Sequence, residues 1–180
     1  MKRPFLALAL FAGGVMAGSS GLLRVYDWHT EWMIPYPRAL TYRYLVSTEA
    51  EREWWPSMEL VRSSPGDLGP GSFAEFRVHQ APGVARLAPP FRLRCVYTDV
   101  EPEQRLRQIV SGDLAGVLET HLQDMDGGRT RITFDWYVRM GNPILNLLSF
   151  VLTPLYRRSH DSVMTEGERG LREYCREHRA

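Results

Sequence analysis

The sequence predicts an α+β domain, a curved antiparallel sheet of about seven strands in the order β-α-α-β6-α, wrapped on a long C-terminal helix. Three observations carry that reading. Between residues 130 and 140, Ile132, Phe134, Trp136, Val138 and Met140 alternate with Arg131, Thr133, Asp135 and Arg139, the period of a half-buried strand. The chain then continues in helical residue types almost to Ala180. A helix of that length must lie across a whole sheet to bury its apolar side. Upstream, short alternating runs divided by short turns have the spacing of an antiparallel meander.

At the N-terminus, Lys2 and Arg3 precede an apolar run from Phe5 to Ala12, then small residues containing Val15-Met16-Ala17, an A-x-A-like site. Residues 1–23 therefore read as a secretory signal peptide or as an uncleaved membrane anchor, since the apolar stretch approaches the roughly 20 residues of a span. A buried N-terminal helix is the structural alternative. Either of the first two readings implies an exported domain at 24–180, free in the cell envelope or anchored to the membrane.

Residues 28–36 read as the first strand. Pro37 suits the first turn of a helix over 37–46. Ser47 or Thr48 caps a second helix over 49–55, which Pro56 ends and whose first turn is acidic. A short strand over 58–63 and a Pro- and Gly-dense turn over 65–71 lead to a strand over 72–79, with Phe76 and Val78 inward. A loop with three prolines spans 80–90. In the strand over 91–100, Phe91, Leu93, Cys95 and Tyr97 alternate with Arg92, Arg94, Val96 and Thr98. Strands over 105–111 and 115–123 follow, and Asp126-Gly127-Gly128 is a hairpin turn into the strand at 130–140.

The terminal helix reads as two pieces hinged near Pro154, because an interior proline removes a hydrogen bond. The first piece, apolar on nearly all sides over 144–152, is a gate over a cavity mouth, a lipid-touching surface or ordinary packing against the short helices. In the second, His160, Met164, Gly167, Leu171 and Tyr174 recur at steps of three and four. Gly167 and Gly170 allow close approach to the sheet.

With 44% hydrophobic and 24% charged residues over 180 positions, the chain has enough apolar matter for a core. A formal charge of +1 with no basic run argues against nucleic-acid binding. Nucleophile elbow, P-loop and dinucleotide fingerprint are missing from the sequence. Ser159-His160-Asp161 has the residue types of a triad, but neighbours on a helix point about 100° apart and form no relay. Cys175 and His178 are two ligand types at a fraying terminus. No catalytic residue, metal or cofactor is predicted. Cys95 and Cys175 read as separate buried thiols in preference to a disulfide.

Several short motifs recur in the order of a known superfamily. They are Ile34-Pro35-Tyr36-Pro37 with Leu40 and Tyr42, Trp54-Trp55-Pro56, Gly69-Pro70-Gly71-Ser72, Gly127-Gly128-Arg129-Thr130-Arg131-Ile132, and His160, Met164, Gly167 and Leu171. Together, over 28–175, they resemble the helix-grip fold of the START-like, polyketide cyclase/dehydrase and lipid-transport (SRPBCC) superfamily. That resemblance implies a cavity under the terminal helix, walled by Phe76, Phe91, Leu93, Tyr97, Leu118, Phe134, Trp136 and Met164, with Leu122 beside them. The plain alternative is that the same residues are simply core. Tyr97 and Trp136 each offer a polar group to an apolar ligand, whereas His79, Glu119 and His121 fall in the opposite phase and face solvent. The expected function is non-enzymatic binding of a hydrophobic small molecule or lipid, with membrane contact through the N-terminal segment. One alternative is an enzyme resembling polyketide cyclases or aromatases, which needs a titratable group inside the cavity. Another is an envelope interaction module with a filled core.

Overall fold

The computed structural model describes residues 24–80, 89–142, 146 and 149–179. Residues 1–23, read above as a leader or anchor, and residues 144, 145, 147 and 148 of the apolar stretch lie outside them. The elements run β1 (Tyr26–Ile34), α1 (Arg38–Leu45), α2 (Thr48–Trp54), β2 (Met58–Ser63), β3 (Phe73–Val78), β4 (Phe91–Glu101), β5 (Arg105–Gly112), β6 (Leu114–Met125), β7 (Arg129–Met140) and α3 (Ser149–Glu177). One seven-stranded antiparallel sheet has the order β1-β7-β6-β5-β4-β3-β2. β2 to β7 form a meander, and the α1–α2 pair carries the chain from β1 at one edge to β2 at the other. This is the helix-grip layout, a curved sheet closed by a long C-terminal helix.

Local chemistry places each break. The Ser47 hydroxyl accepts from the Ala50 amide at 3.2 Å and caps α2. Gly127 and Gly128, at φ of +79° and +69°, complete the three-residue β6–β7 turn over 126–128 in a conformation that favours glycine. On the outer face, cross-strand arginines pair with carboxylates: Arg62 and Arg94 with Glu75, Arg77 with Glu59, and Arg107 with Glu119. The arginine-rich composition therefore serves a charged, solvated sheet face. His79 and His121 join the same face beside Glu59 and Glu119, as their phase predicts.

The inner face carries rows of side chains set by register. One row crosses five strands as Tyr97, Gln108, Leu118, Trp136 and Trp28. Against this face lies α3, a continuous helix of 29 residues and about 44 Å in length. Pro154 sits inside it without dividing it. The two-piece, hinged reading is therefore corrected to one continuous helix. Pro154 has no N–H for an i→i−4 bond, and the helix continues past it.

α3 is strapped to both sides of the sheet. Glu168 accepts from the Met33 amide at 2.9 Å, and Arg172 donates to the Met33 carbonyl at 3.0 Å, covering the free edge of β1 there. Glu166 accepts from the Ser57 amide at 3.2 Å, and the Trp55 indole donates to the Val163 carbonyl at 3.0 Å. The close approach predicted for Gly167 and Gly170 is real, but its partner is different. A methyl at Gly167 would meet the Trp55 and Trp32 rings, and one at Gly170 would overlap the Trp54 carbonyl oxygen. Gly167 therefore admits both β1 of the sheet, through Trp32, and the end of α2, while Gly170 admits the end of α2. Cys95 and Cys175 are both free and buried.

Candidate functional site

Between the sheet and its helices the core leaves two small apolar cavities. The first, of about 70 Å³, lies under α3. Its sheet side is Val78, Phe91, Leu93, Leu114, Trp136, Met140 and Trp28; its helix side is Tyr156, Ser159, His160, Val163 and Met164. The second, of about 60 Å³, is roofed by Leu45 of α1, Glu51 of α2 and Trp55, and receives no residue from α3. Its floor includes Phe76, Cys95, Tyr97, Gln108, Leu118, Thr120 and Phe134. Trp55, Met58 and Trp136 line both and form the partition.

All eight residues anticipated as cavity walls line one lobe or the other, but they do not share one. Phe91, Leu93 and Met164 belong to the first lobe, Phe76, Tyr97, Leu118 and Phe134 to the second, and Trp136 to both. Leu122 is buried but lines neither lobe. The expectation of one cavity under the terminal helix is corrected accordingly, because the α1–α2 crossover and not α3 roofs the second lobe.

The first lobe has a polar end. His160 lies 4.7 Å between ring centroids from Trp28, tilted by 40°, and meets Trp136 edge-on at 6.2 Å. Its Nε2 and the Trp136 Nε1 are both buried and have no hydrogen-bond partner among the described residues. On the other side of the ring, Nδ1 is only 3.5 Å from the Asp161 carboxylate. Burial holds the imidazole below its ordinary pKa, opposed by the weaker pull of Asp161, so the neutral ring prevails. Nearby, the Ser159 hydroxyl donates to the Gln80 side-chain oxygen at 2.5 Å, bridging α3 to the end of β3.

The second lobe holds a deeply buried carboxyl that the sequence pattern did not place. Glu51 is 9% exposed, and burial alone pushes its pKa up to about 8. Burial also pushes the Cys95 thiol up to about 12 and the Tyr97 phenol far above its usual range, with the Glu51 charge adding to both. These groups are neutral at pH 7. Among the described residues no cluster of His, Cys, Asp and Glu is arranged to hold a metal ion.

Sequence signals for the missed residues exist. Gln108 and Thr120 are in phase with apolar Leu106 and Val110, and with Leu118 and Leu122, so alternation points both inward. Glu51 stands three residues before Trp54 and four before Trp55, on the face those rings bury. The first-turn position invites a helix-dipole explanation that hides this.

No family model matches the chain, and no curated protein does. Solved structures share its fold. The TTHA0849 protein of Thermus thermophilus superposes with a TM-score of 0.64 at 17% identity, over 83% of this chain and 96% of that one. A conserved protein of Geobacillus kaustophilus gives 0.61 at 8% identity over 82% and 96%. Protein Ms6760 of Mycobacterium smegmatis gives 0.60 at 12% identity over 82% and 88%. At such identities the likeness is one of fold.

Proposed function

We propose that this chain is a START-like (SRPBCC) protein that binds a hydrophobic small molecule or lipid on the inner face of its sheet. The observation that carries the reading is the two-lobed apolar cavity, whose first lobe is lined by Trp136 and His160, each with a buried ring nitrogen that has no hydrogen-bond partner among the described residues. Apolar walls supply affinity at about 25 cal/mol per Å² buried, and a few polar atoms orient the ligand. At about 70 and 60 Å³ the lobes hold a few waters each, so a larger ligand enters by displacing the flexible Met58 and Met164 side chains. The basic, then apolar, then small-residue N-terminus supports export and attachment at the cell envelope.

Native mass spectrometry of the purified protein, before and after solvent extraction, tests the binding. The expected result is a non-covalent apolar adduct that extraction removes and that quenches or shifts fluorescence from Trp28, Trp55 or Trp136 when added back. A protein that carries no adduct, and whose fluorescence ignores every apolar titrant, rules the reading out.

A second reading is favoured by Glu51. An enzyme acting on a ligand in the same cavity needs a proton-transfer group there, and a buried carboxyl with a pKa of about 8 meets that need. Incubating candidate β-keto thioesters with wild-type and Glu51→Gln protein separates the two. Turnover lost in the variant supports catalysis, and unchanged substrate with retained binding supports a carrier.

A further inference from the structure

Four polar side chains from four elements converge on the second lobe: Glu51 from α2, Tyr97 from β4, Gln108 from β5 and Thr120 from β6. Glu51, Gln108 and Thr120 are 9%, 7% and 2% exposed, and Tyr97 is half-buried. Tyr97 and Gln108 are directly opposed across the β4–β5 ladder, and Thr120 lies on the next strand two residues beyond the Leu118 that faces Gln108. Among the described residues, none of these four side chains forms a hydrogen bond with another. Buried polar groups in native proteins are nearly always paired. A convergent set with no bond among its members, inside an otherwise apolar cavity, is the arrangement of a ligand subsite.

The charge around the site narrows the ligand. Among the described residues, no arginine, lysine or histidine lines the lobe. The titratable neighbours are Cys95 and Tyr97 on β4, with Tyr42 of α1 beside Tyr97. β2, β3 and β7 present only Met58, Phe76, Phe134 and Trp136. An anionic head group would find no countercharge, and a carboxyl with no cation beside it is stabilised as the neutral acid. A neutral acid donates through its O–H, and a carbonyl oxygen is the acceptor that matches it.

We propose that the second lobe seats the neutral carbonyl group of a largely apolar ligand, with the Glu51 carboxyl as hydrogen-bond donor and Gln108, Thr120 and Tyr97 around it. This rests on the binding function proposed above and names the ligand class. The apolar remainder of the ligand extends past the Trp55, Met58 and Trp136 partition into the first lobe.

Calorimetric titration of the full chain with three probes on one carbon skeleton tests it: indane, 1-indanone and 2-aminoindane. The expected result is that 1-indanone binds more tightly than indane at pH 7. Its affinity should fall about tenfold between about pH 7 and about pH 9, as the neutral fraction of Glu51 falls, while indane stays level. In Glu51→Gln, whose amide donates at every pH, 1-indanone should bind with a flat profile. Equal, pH-independent binding of indane and 1-indanone overturns the carbonyl seat and leaves the binding function standing. Preference for 2-aminoindane that grows through pH 8 overturns it in favour of a cation site. Binding of none of the three overturns the binding function and the inference together.

Discussion

Glu51 sets the residue-scale chemistry of this fold, because its carboxyl is taken from water without a compensating cation. Its pKa rises from an ordinary 4.5 to about 8 on folding, so the native state holds a proton that the unfolded chain releases between those values. The stability this protonation allows is complete below about pH 4.5 and is lost as pH rises through about 8. A shift of that size corresponds to roughly 3–5 kcal/mol. Urea unfolding at several pH values should show wild type losing stability from pH 5 to pH 8, with Glu51→Gln much flatter and more stable at the upper end. Parallel curves for the two proteins would mean that Glu51 is solvated or paired. Much of the site was legible at this scale. All eight anticipated wall residues line a cavity: strand alternation assigns the inward positions of seven, and Met164 falls on the stripe of three- and four-residue steps along α3. Glu51 escaped because α2 has only seven residues, too short for its periodicity to show which face is covered.

Among the elements, α3 is held by specific contacts as well as by its apolar stripe. The tightest lies where Gly170 abuts the Trp54 carbonyl oxygen. No side-chain rotation can relieve a methyl placed against a backbone oxygen, so the helix must move away from α2. Gly170→Ala should cost about 2–3 kcal/mol, read as a lower thermal midpoint. Alanine at an exposed helical position such as Arg169 should change little. An unchanged midpoint for Gly170→Ala would mean that α3 docks more loosely than its contacts imply. The strands were readable to within a few residues because turn chemistry and alternation agree at each boundary, as at Gly127-Gly128. The continuity of α3 through Pro154 was not, because local propensity does not register the tertiary contacts that keep a 29-residue helix continuous past one missing bond.

At the scale of the whole molecule, the two edges of the sheet and the two helical covers divide the inner face into lobes, and Met58 is the simplest element of that division. It is buried, opens β2 just after the α1–α2 crossover, and lines both cavities together with Trp55 and Trp136. The tryptophans cannot be removed cleanly, since the Trp55 indole also holds the Val163 carbonyl of α3. The Met58 side chain makes no such bond, and its unbranched chain fills space by rotation. Met58→Ala should therefore join the two lobes into one cavity, at a cost of about 2–5 kcal/mol from lost contacts and the void. The protein should melt lower, yet prefer longer ligands than wild type does. With a homologous series of linear methyl ketones, the chain length of tightest binding should increase in the variant. Saturating ketone should also recover part of the lost stability, by about 2.7 kcal/mol at a hundredfold excess over Kd. If the optimum length is unchanged while stability falls, Met58 is core packing alone. The route between the lobes would then run elsewhere, past Trp136, whose indole nitrogen has no hydrogen-bond partner among the described residues.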